Sequence, residues 1–262
     1  GIKNAGIVII CCLVIAVCIF QFLLGNPSNF MNNDPNNHPL PGNFLGTIYK
    51  GGIIVPIIQT LLLTVLALSI ERYFALRSAF GKGSLSKFVA NIKDALAAGD
   101  MKKAQEICDK QRGSVANVVT STLRKYEEME KNTALPKEQK LLAIQKELEE
   151  ATALEMPMMQ QNLPIIATIT TLGTLMGLLG TVIGMVQAFD KIQQVGDISP
   201  TVVAGGMKVA LITTIFGLIV ALILQVFYNY VLAKIEALTS EMEDSSISLL
   251  DMVIKYDLKY KK

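Results

Sequence analysis

Four long apolar runs divide this chain, and each is close to the roughly twenty residues that a helix needs to cross a bilayer. Charged residues are confined to the stretches between them and to the chain ends, apart from Lys208 and from Glu71, the last residue of the second run. The pattern predicts an all-α membrane protein with transmembrane helices at 1–24, 52–71, 162–189 and 202–233. The intervening stretches are predicted as a loop at 25–51, a helical domain at 72–161, a turn at 190–201 and a helical tail at 234–262.

The first run is longer than the apolar part of a usual secretory signal. It leads into Gly25, Asn26 and Pro27 and not into a small-residue cleavage site. We therefore expect a retained membrane helix. Because the sequence begins with Gly1 and not with Met, we also expect a short leader before it.

The third run, NLPIIATITTLGTLMGLLGTVIGMVQAF, contains no Asp, Glu, Lys or Arg. At 100° per residue its glycines fall within roughly 60° of one another, and threonines follow the edge of that stripe. The glycines are Gly173, Gly177, Gly180 and Gly184, and the threonines are Thr170, Thr174 and Thr181. Such a stripe marks a helix that packs closely on other helices. The threonines fit two interpretations equally well, ordinary helix packing or a hydroxyl-lined polar path.

The fourth run carries a second face of small and polar residues. Around Thr214, within approximately 60° on the helical wheel, lie Ala210, Gly217, Ala221 and Gln225. A short turn joins the two runs, so we expect their helices to be antiparallel neighbours.

The segment 72–161 is helical by pattern. Gly99 is a predicted C-cap, Asp100 opens the next helix, and Gly113 ends it. After Pro136 one long helix is predicted to run almost unbroken into the third apolar run, with kinks at Pro157 and Pro164. Both long helices then continue out of the membrane into a small helical bundle.

Four glutamates of that long helix are predicted to form a solvated face and not an acid–base site: Glu147, Glu149, Glu150 and Glu155.

Lysine and arginine are distributed unevenly about the apolar runs. The loop 25–51 has only Lys50, whereas Arg72, Arg77 and Lys82 follow the second run directly. The positive-inside rule therefore predicts that 72–161 and both termini are cytoplasmic and that 25–51 and 190–201 lie outside. Lysines near the ends of the chain agree: Lys3, Lys255, Lys259, Lys261 and Lys262.

Little other chemistry is indicated. The net charge of +2 argues against a nucleic-acid partner, and neither the four cysteines nor the lone loop histidine, His38, has disulfide, metal-ligand or catalytic spacing. No nucleotide-binding or nucleophile motif is found, so we expect a non-enzyme without cofactors. No Asp or Glu lies inside the apolar runs, and the only interior charge is Lys208. If the chain carries protons, the titrating carboxylate must come from another subunit.

Several motifs in order resemble the MotA/TolQ/ExbB proton channel family, most closely its ExbB members. They are SIERYFAL (69–76), the helical AAGDMKKAQEIC segment, GLLGTVIGM (177–185), ALITTIFGL (210–218) and QVFYNY (225–230). The resemblance implies a three-helix core, to which the helix at 1–24 is an addition. It also implies a homopentamer in a bacterial inner membrane around an ExbD-like subunit, whose single helix supplies a membrane Asp. Coupling to a TonB-like protein and outer-membrane transport would follow.

Within these motifs, the resemblance implies that Thr181 and Thr214 face the pore. Thr213, Thr174 and Thr170 join them in the predicted proton path. Some relatives carry a Glu where this chain has Val209. A TolQ-like or flagellar-type stator subunit and a purely structural membrane scaffold are the alternatives.

Overall fold

The computed structural model describes residues 5–195 and 200–260, and within them it contains helices and no strand. The helices are α1 (Ala5–Cys18, followed by a π-helix at Ile19–Leu24), α2 (Phe44–Tyr49), α3 (Ile54–Ala79), α4 (Leu85–Ala97), α5 (Met101–Gln111), α6 (Ser114–Lys131), α7 (Lys137–Gln160), α8 (Leu163–Val195) and α9 (Pro200–Tyr260). Among the described residues, four segments are long and apolar enough to cross a membrane: Ala5–Leu24, Ile54–Ala79, Lys137–Asp190 and Val203–Asp244. The predicted all-α membrane fold is confirmed.

The chain divides into two compact units. The membrane unit comprises residues 2–71 and 162–230, and the peripheral unit comprises 72–161 and 231–262. The core of the membrane unit is formed by apolar side chains of α3, α8 and α9: Ile54, Ile58, Val65, Leu68, Ile166, Ile169, Val220 and Leu224. Large apolar side chains also cover its outside, as expected for a protein whose solvent is lipid.

The loop 25–51, predicted to be irregular, contains α2 and two short 3-10 turns. Its asparagines explain this order, because their side chains satisfy backbone groups that would otherwise lack partners. Asn43 caps α2 by accepting a hydrogen bond from the Gly46 amide at 3.1 Å. The buried Asn29 donates to the carbonyl oxygens of Leu23 and Leu24, at 2.8 and 3.1 Å, where the π-helix ends.

The helices of the peripheral unit begin and end close to the predicted positions. Gly99, just beyond α4, has a left-handed backbone with φ of 73°. Asp100 caps α5, since its carboxylate accepts a hydrogen bond from the Lys103 amide at 2.9 Å. The apolar stripes of α4, α5 and α6 are buried, with Phe88, Ala104 and Leu123 among the covered side chains.

The long helix before α8 breaks at a place that the sequence did not indicate. α7 continues through Pro157 to Gln160, and the interruption comes at Asn162, whose φ is +64°. Pro164 lies in the first turn of α8, where its missing amide hydrogen leaves no helical bond unmade. The left-handed residue at Asn162 is therefore a break that was not predicted, and the kinks at Pro157 and Pro164 stay predictions.

Two charged side chains of the peripheral unit are less solvated than predicted. Glu155 is half-buried and accepts a hydrogen bond from the Asn117 side chain at 3.0 Å, so it does not belong to a solvated face. Arg72, counted among the cytoplasmic flanking charges, is 1% exposed and donates to the carbonyl oxygen of Met158 at 3.0 Å.

The predicted turn at 190–201 is shorter than expected. α8 continues past Asp190 to Val195, and α9 begins at Pro200. The remaining residues, 196–199, lie outside the described part of the chain, as do Lys3, Lys261 and Lys262.

Candidate functional site

α8 and α9 are antiparallel neighbours that approach each other through small residues. A Cβ atom added to Gly217 would lie only 2.6 Å from the Cα of Gly177, and one added to Gly184 would lie 2.9 Å from the Cα of Ala210. Side chains larger than these would hold the two backbones apart. All the residues predicted for helix packing lie in this contact: Gly173, Gly177, Gly180 and Gly184 on α8, and Ala210, Gly217 and Ala221 on α9.

Beside this close contact the structure brings Thr181 of α8 and Thr214 of α9 together. Their half-buried hydroxyl groups are hydrogen-bonded to each other. The Thr214 hydroxyl also donates to the carbonyl oxygen of Gly177 at 3.1 Å. When Thr214 donates to that carbonyl, Thr181 donates to Thr214 and keeps lone pairs on its own oxygen. The pair can therefore accept a further hydrogen bond from a water molecule or a protonated carboxyl group.

The other threonines of the predicted path lie in different surroundings. Thr213 is 1% exposed, packs against Gly180 and donates to the carbonyl oxygen of Ala210 at 2.8 Å. Thr170 is also buried and donates to Ile166 of its own helix at 2.9 Å, while Thr174 is half-buried. Because Thr213 and Thr170 are buried inside the subunit whereas Thr181 and Thr214 are half-buried, Thr181 and Thr214 are the better candidates for contact with a partner.

Sequence reasoning missed the hydroxyl groups of α3. Thr60 is buried and donates to the carbonyl oxygen of Pro56 at 2.7 Å. Thr64 and Ser69 are buried too, and within the described residues their hydroxyl oxygens have no hydrogen-bond partner. Leaving such a group unpaired costs about 1–3 kcal/mol. The available signal was the presence of Thr60, Thr64 and Ser69 within an otherwise apolar run.

Few charged or metal-binding side chains lie in the membrane helices around the hydroxyl pair. In the part of the chain that the structure describes, no group of three His, Cys, Asp or Glu side chains could hold a metal ion. The interiors of the apolar runs contain no carboxylate, and Lys208 is exposed on α9. Thr hydroxyls can relay hydrogen bonds but do not ionise near neutral pH. A proton that pauses at this site therefore needs a titratable group from elsewhere.

Comparisons with a family model and with individual proteins point to the same family. A family model described as the MotA/TolQ/ExbB proton channel family matches residues 112–244. An ExbB homolog from Methanothermobacter thermautotrophicus is 26% identical over 199 residues, which cover 74% of this chain and 66% of the relative. The biopolymer transport protein ExbB of Pseudomonas putida is 26% identical over 178 residues, 68% of this chain and 53% of the relative.

A third relative matches a shorter segment of the chain, but with a higher sequence identity. It is an ExbB-like biopolymer transport protein from Synechocystis, 34% identical over 84 residues, which cover 31% of this chain and 40% of the relative. The chain thus spans between 40% and 66% of the length of these relatives.

Proposed function

We propose, because this chain belongs to the MotA/TolQ/ExbB proton channel family, that it is the ring-forming subunit of a proton-driven motor of the ExbB type. In this proposal several copies, five by family resemblance, surround an ExbD-like partner whose single membrane helix supplies an Asp. Proton flow through the ring is coupled through a TonB-like protein to outer-membrane transport. The complex lies in a bacterial inner membrane with both termini of this chain in the cytoplasm.

One observation carries the proposal: the paired hydroxyl groups of Thr181 and Thr214 beside the α8–α9 contact. A bare carboxylate inside a bilayer is costly, so it is found facing polar groups or water. The hydroxyl pair offers such a partner at mid-helix without adding a charge. Its free lone pairs accept from the protonated carboxyl group, and rotation of the Thr181 hydroxyl away from Thr214 lets it donate to the carboxylate. The pair suits a site where a carboxyl group from another subunit is alternately protonated and deprotonated.

The energetics are sufficient for mechanical work. One elementary charge that falls through about 100 mV releases about 2.3 kcal/mol. This energy can drive a small step of one helix bundle past another only if the proton site is reached from one side of the membrane at a time. The ring supplies a fixed polar contact at Thr181 and Thr214, and the partner supplies the titrating group that moves past it.

Two other functions use parts of the same geometry. A TolQ-like or flagellar-type stator subunit would need the same hydroxyl pair and a partner Asp, and would differ only in the protein that receives the motion. A structural scaffold would need the close glycine packing but neither the hydroxyl pair nor a partner carboxylate. A neighbouring gene for a one-helix protein with a membrane Asp favours either motor over the scaffold.

The assembly is tested by co-expressing the chain with the products of its neighbouring genes and weighing the purified complex by native mass spectrometry in detergent. The expected mass is that of a closed ring of this chain, with five copies by family resemblance, together with a smaller number of partner subunits. A stable monomer or dimer as the dominant species contradicts the proposal.

The proposed orientation predicts which positions a membrane-impermeant thiol reagent reaches. Cys108 is a poor probe, because it is 2% exposed and burial raises the pKa of its thiol to about 11. The probes are therefore His38→Cys and Asp109→Cys, both at exposed positions, in a variant whose native cysteines are replaced by alanine. Position 38 should be labelled in intact cells and position 109 only after lysis. Labelling in the reverse pattern overturns the orientation.

A further inference from the structure

Among the side chains that the structure describes, the exposed faces of α8 and α9 each carry one charge near the end where the two helices approach their connection. Asp190 of α8 lies within roughly 40° of the exposed Val186 on the helical wheel. Lys208 of α9 lies within roughly 20° of the exposed Ile215 and Val226. Among the side chains that the structure describes, neither charge has an ion-pair or hydrogen-bond partner. Counting only side chains that the structure describes, each helix therefore presents an apolar face with one unpaired charge, and the two charges are opposite in sign.

The α8–α9 contact fixes the relative depth of these charges. Gly184 is opposite Ala210, and a Cβ on Gly206 would lie 2.9 Å from the Cα of Ala188. In this antiparallel register, the Cα of Lys208 is four residues further into the membrane than that of Asp190, or about 6 Å at 1.5 Å per residue. The four-carbon stem of lysine spans about the same distance, so its ammonium group reaches the level of Asp190 by extending toward the membrane surface.

The two charges cannot pair well within one chain. The small residues that join α8 to α9 include Gly206, which lies on the side of α9 opposite Lys208 at 100° per residue. Lys208 therefore points away from the α8 of its own chain. In a ring whose axis is normal to the bilayer, however, every copy places Asp190 and Lys208 at the same two depths. The α8 face of one copy and the α9 face of the next then present opposite charges at matching height.

We propose that the α8 face bearing Asp190 docks on the α9 face bearing Lys208 of the adjacent copy, and that these two residues form an ion pair between subunits. The inference rests on the ring of the proposed function and names its contact surface. Lipid chains would also cover the apolar parts of both faces, and a lipid phosphate would suit Lys208. Further copies of the chain satisfy both charges at once. Each copy offers its α8 face with Asp190 to one neighbour and its α9 face with Lys208 to the other.

Charge reversal tests the pair. Asp190→Lys and Lys208→Asp should each lower the fraction of chain found in the ring by native mass spectrometry, since each variant places like charges at every subunit contact. The double variant restores opposite charges and should recover the ring. If both single variants assemble as well as the unmodified chain, the ion pair is wrong while the ring stands. If the unmodified chain forms no ring, the proposed function fails as well.

Cross-linking tests the docking geometry with both charges retained. Leu179 and Ile215 are level in the α8–α9 register, exposed at 42% and 57%, and lie on the two proposed docking faces. In a variant without native cysteines, Leu179→Cys with Ile215→Cys should form disulfides between copies when oxidised by oxygen with copper phenanthroline. Non-reducing electrophoresis should then show a ladder of multimers. A monomer band alone, with or without an internal disulfide, contradicts the docking.

The matched control is Leu179→Cys with Val226→Cys. Val226 is 69% exposed on the same face of α9 but lies about 16 Å deeper than Ile215. Cysteines at this separation cannot form a disulfide. An equally strong ladder from this pair shows that the cross-links come from random collisions, and it overturns the proposed docking.

Discussion

Replacing Thr181 or Thr214 by valine is expected to abolish proton-driven activity while leaving the complex assembled. Valine keeps the branched shape and removes the hydroxyl without leaving a cavity. Either variant loses the hydrogen bond between the two side chains, and Thr214→Val also loses the 3.1 Å bond to the Gly177 carbonyl. The cost in stability should be only about 0.5–1.5 kcal/mol for each hydrogen bond. The measurement is whether each variant restores the function that is lost when the gene is deleted from its host.

The control for this experiment is Thr168→Val. Thr168 is exposed on α8 and donates to the Pro164 carbonyl of its own helix at 2.9 Å. The Thr168→Val variant loses a hydroxyl from α8 but keeps the hydroxyl groups of Thr181 and Thr214. It should therefore retain full function. If Thr181→Val and Thr214→Val both support normal function at normal expression, the two threonines serve only helix packing.

Two glycines of α9, Gly217 and Gly205, should respond in opposite ways to replacement by alanine. Gly217→Ala would place a Cβ 2.6 Å from the Cα and 3.0 Å from the amide nitrogen of Gly177, and a backbone cannot yield as a flexible side chain can. Overpacking of this kind typically costs about 1–3 kcal/mol. Gly205→Ala meets nothing within 4 Å and should stabilise the helix by up to about 1 kcal/mol.

Thermal unfolding of the purified complexes in detergent separates these two outcomes. The Gly217→Ala complex should melt at a lower temperature than the unmodified complex, and the Gly205→Ala complex should melt at the same temperature or slightly higher. Equal melting of the two variants would show that the close approach of α8 and α9 contributes little to stability.

The sequence was most informative where one physical demand dominates. Bilayer thickness requires long apolar runs, which made the membrane helices predictable. The close approach of two helices requires small residues at a spacing of three and four, which made the packing faces of α8 and α9 predictable, although the pairing of Gly177 with Gly217 came only from the structure. Helix caps in the peripheral unit could be predicted for a similar reason, because Gly99 and Asp100 are residue types with a strong positional preference.

Features that depend on several distant residues could not be predicted in the same way. The helical order in the loop 25–51 depends on Asn29 reaching back to the end of the π-helix, a contact that no local pattern reveals. The break at Asn162 could not be read from the sequence, because the two nearby prolines are stronger helix-breaking signals. Pro164 lies in the first turn of α8, where a helix tolerates proline, whereas Pro157 lies inside α7 without ending it. Thr213 and Thr214 are adjacent in sequence, and only the packed structure separates a buried hydroxyl from one at the edge of the helix pair.

Proton flux through the purified complex tests the central claim most directly. The complex of this chain with its co-expressed partner is reconstituted in liposomes that contain a pH-sensitive dye, and an inside-negative potassium potential is applied. Internal acidification is expected for the unmodified complex, and not for the chain alone or for the complex with Thr214→Val. Equal acidification by the chain alone would contradict the claim that the titrating carboxylate comes from a partner, and equal acidification by Thr214→Val would contradict the role of the hydroxyl pair.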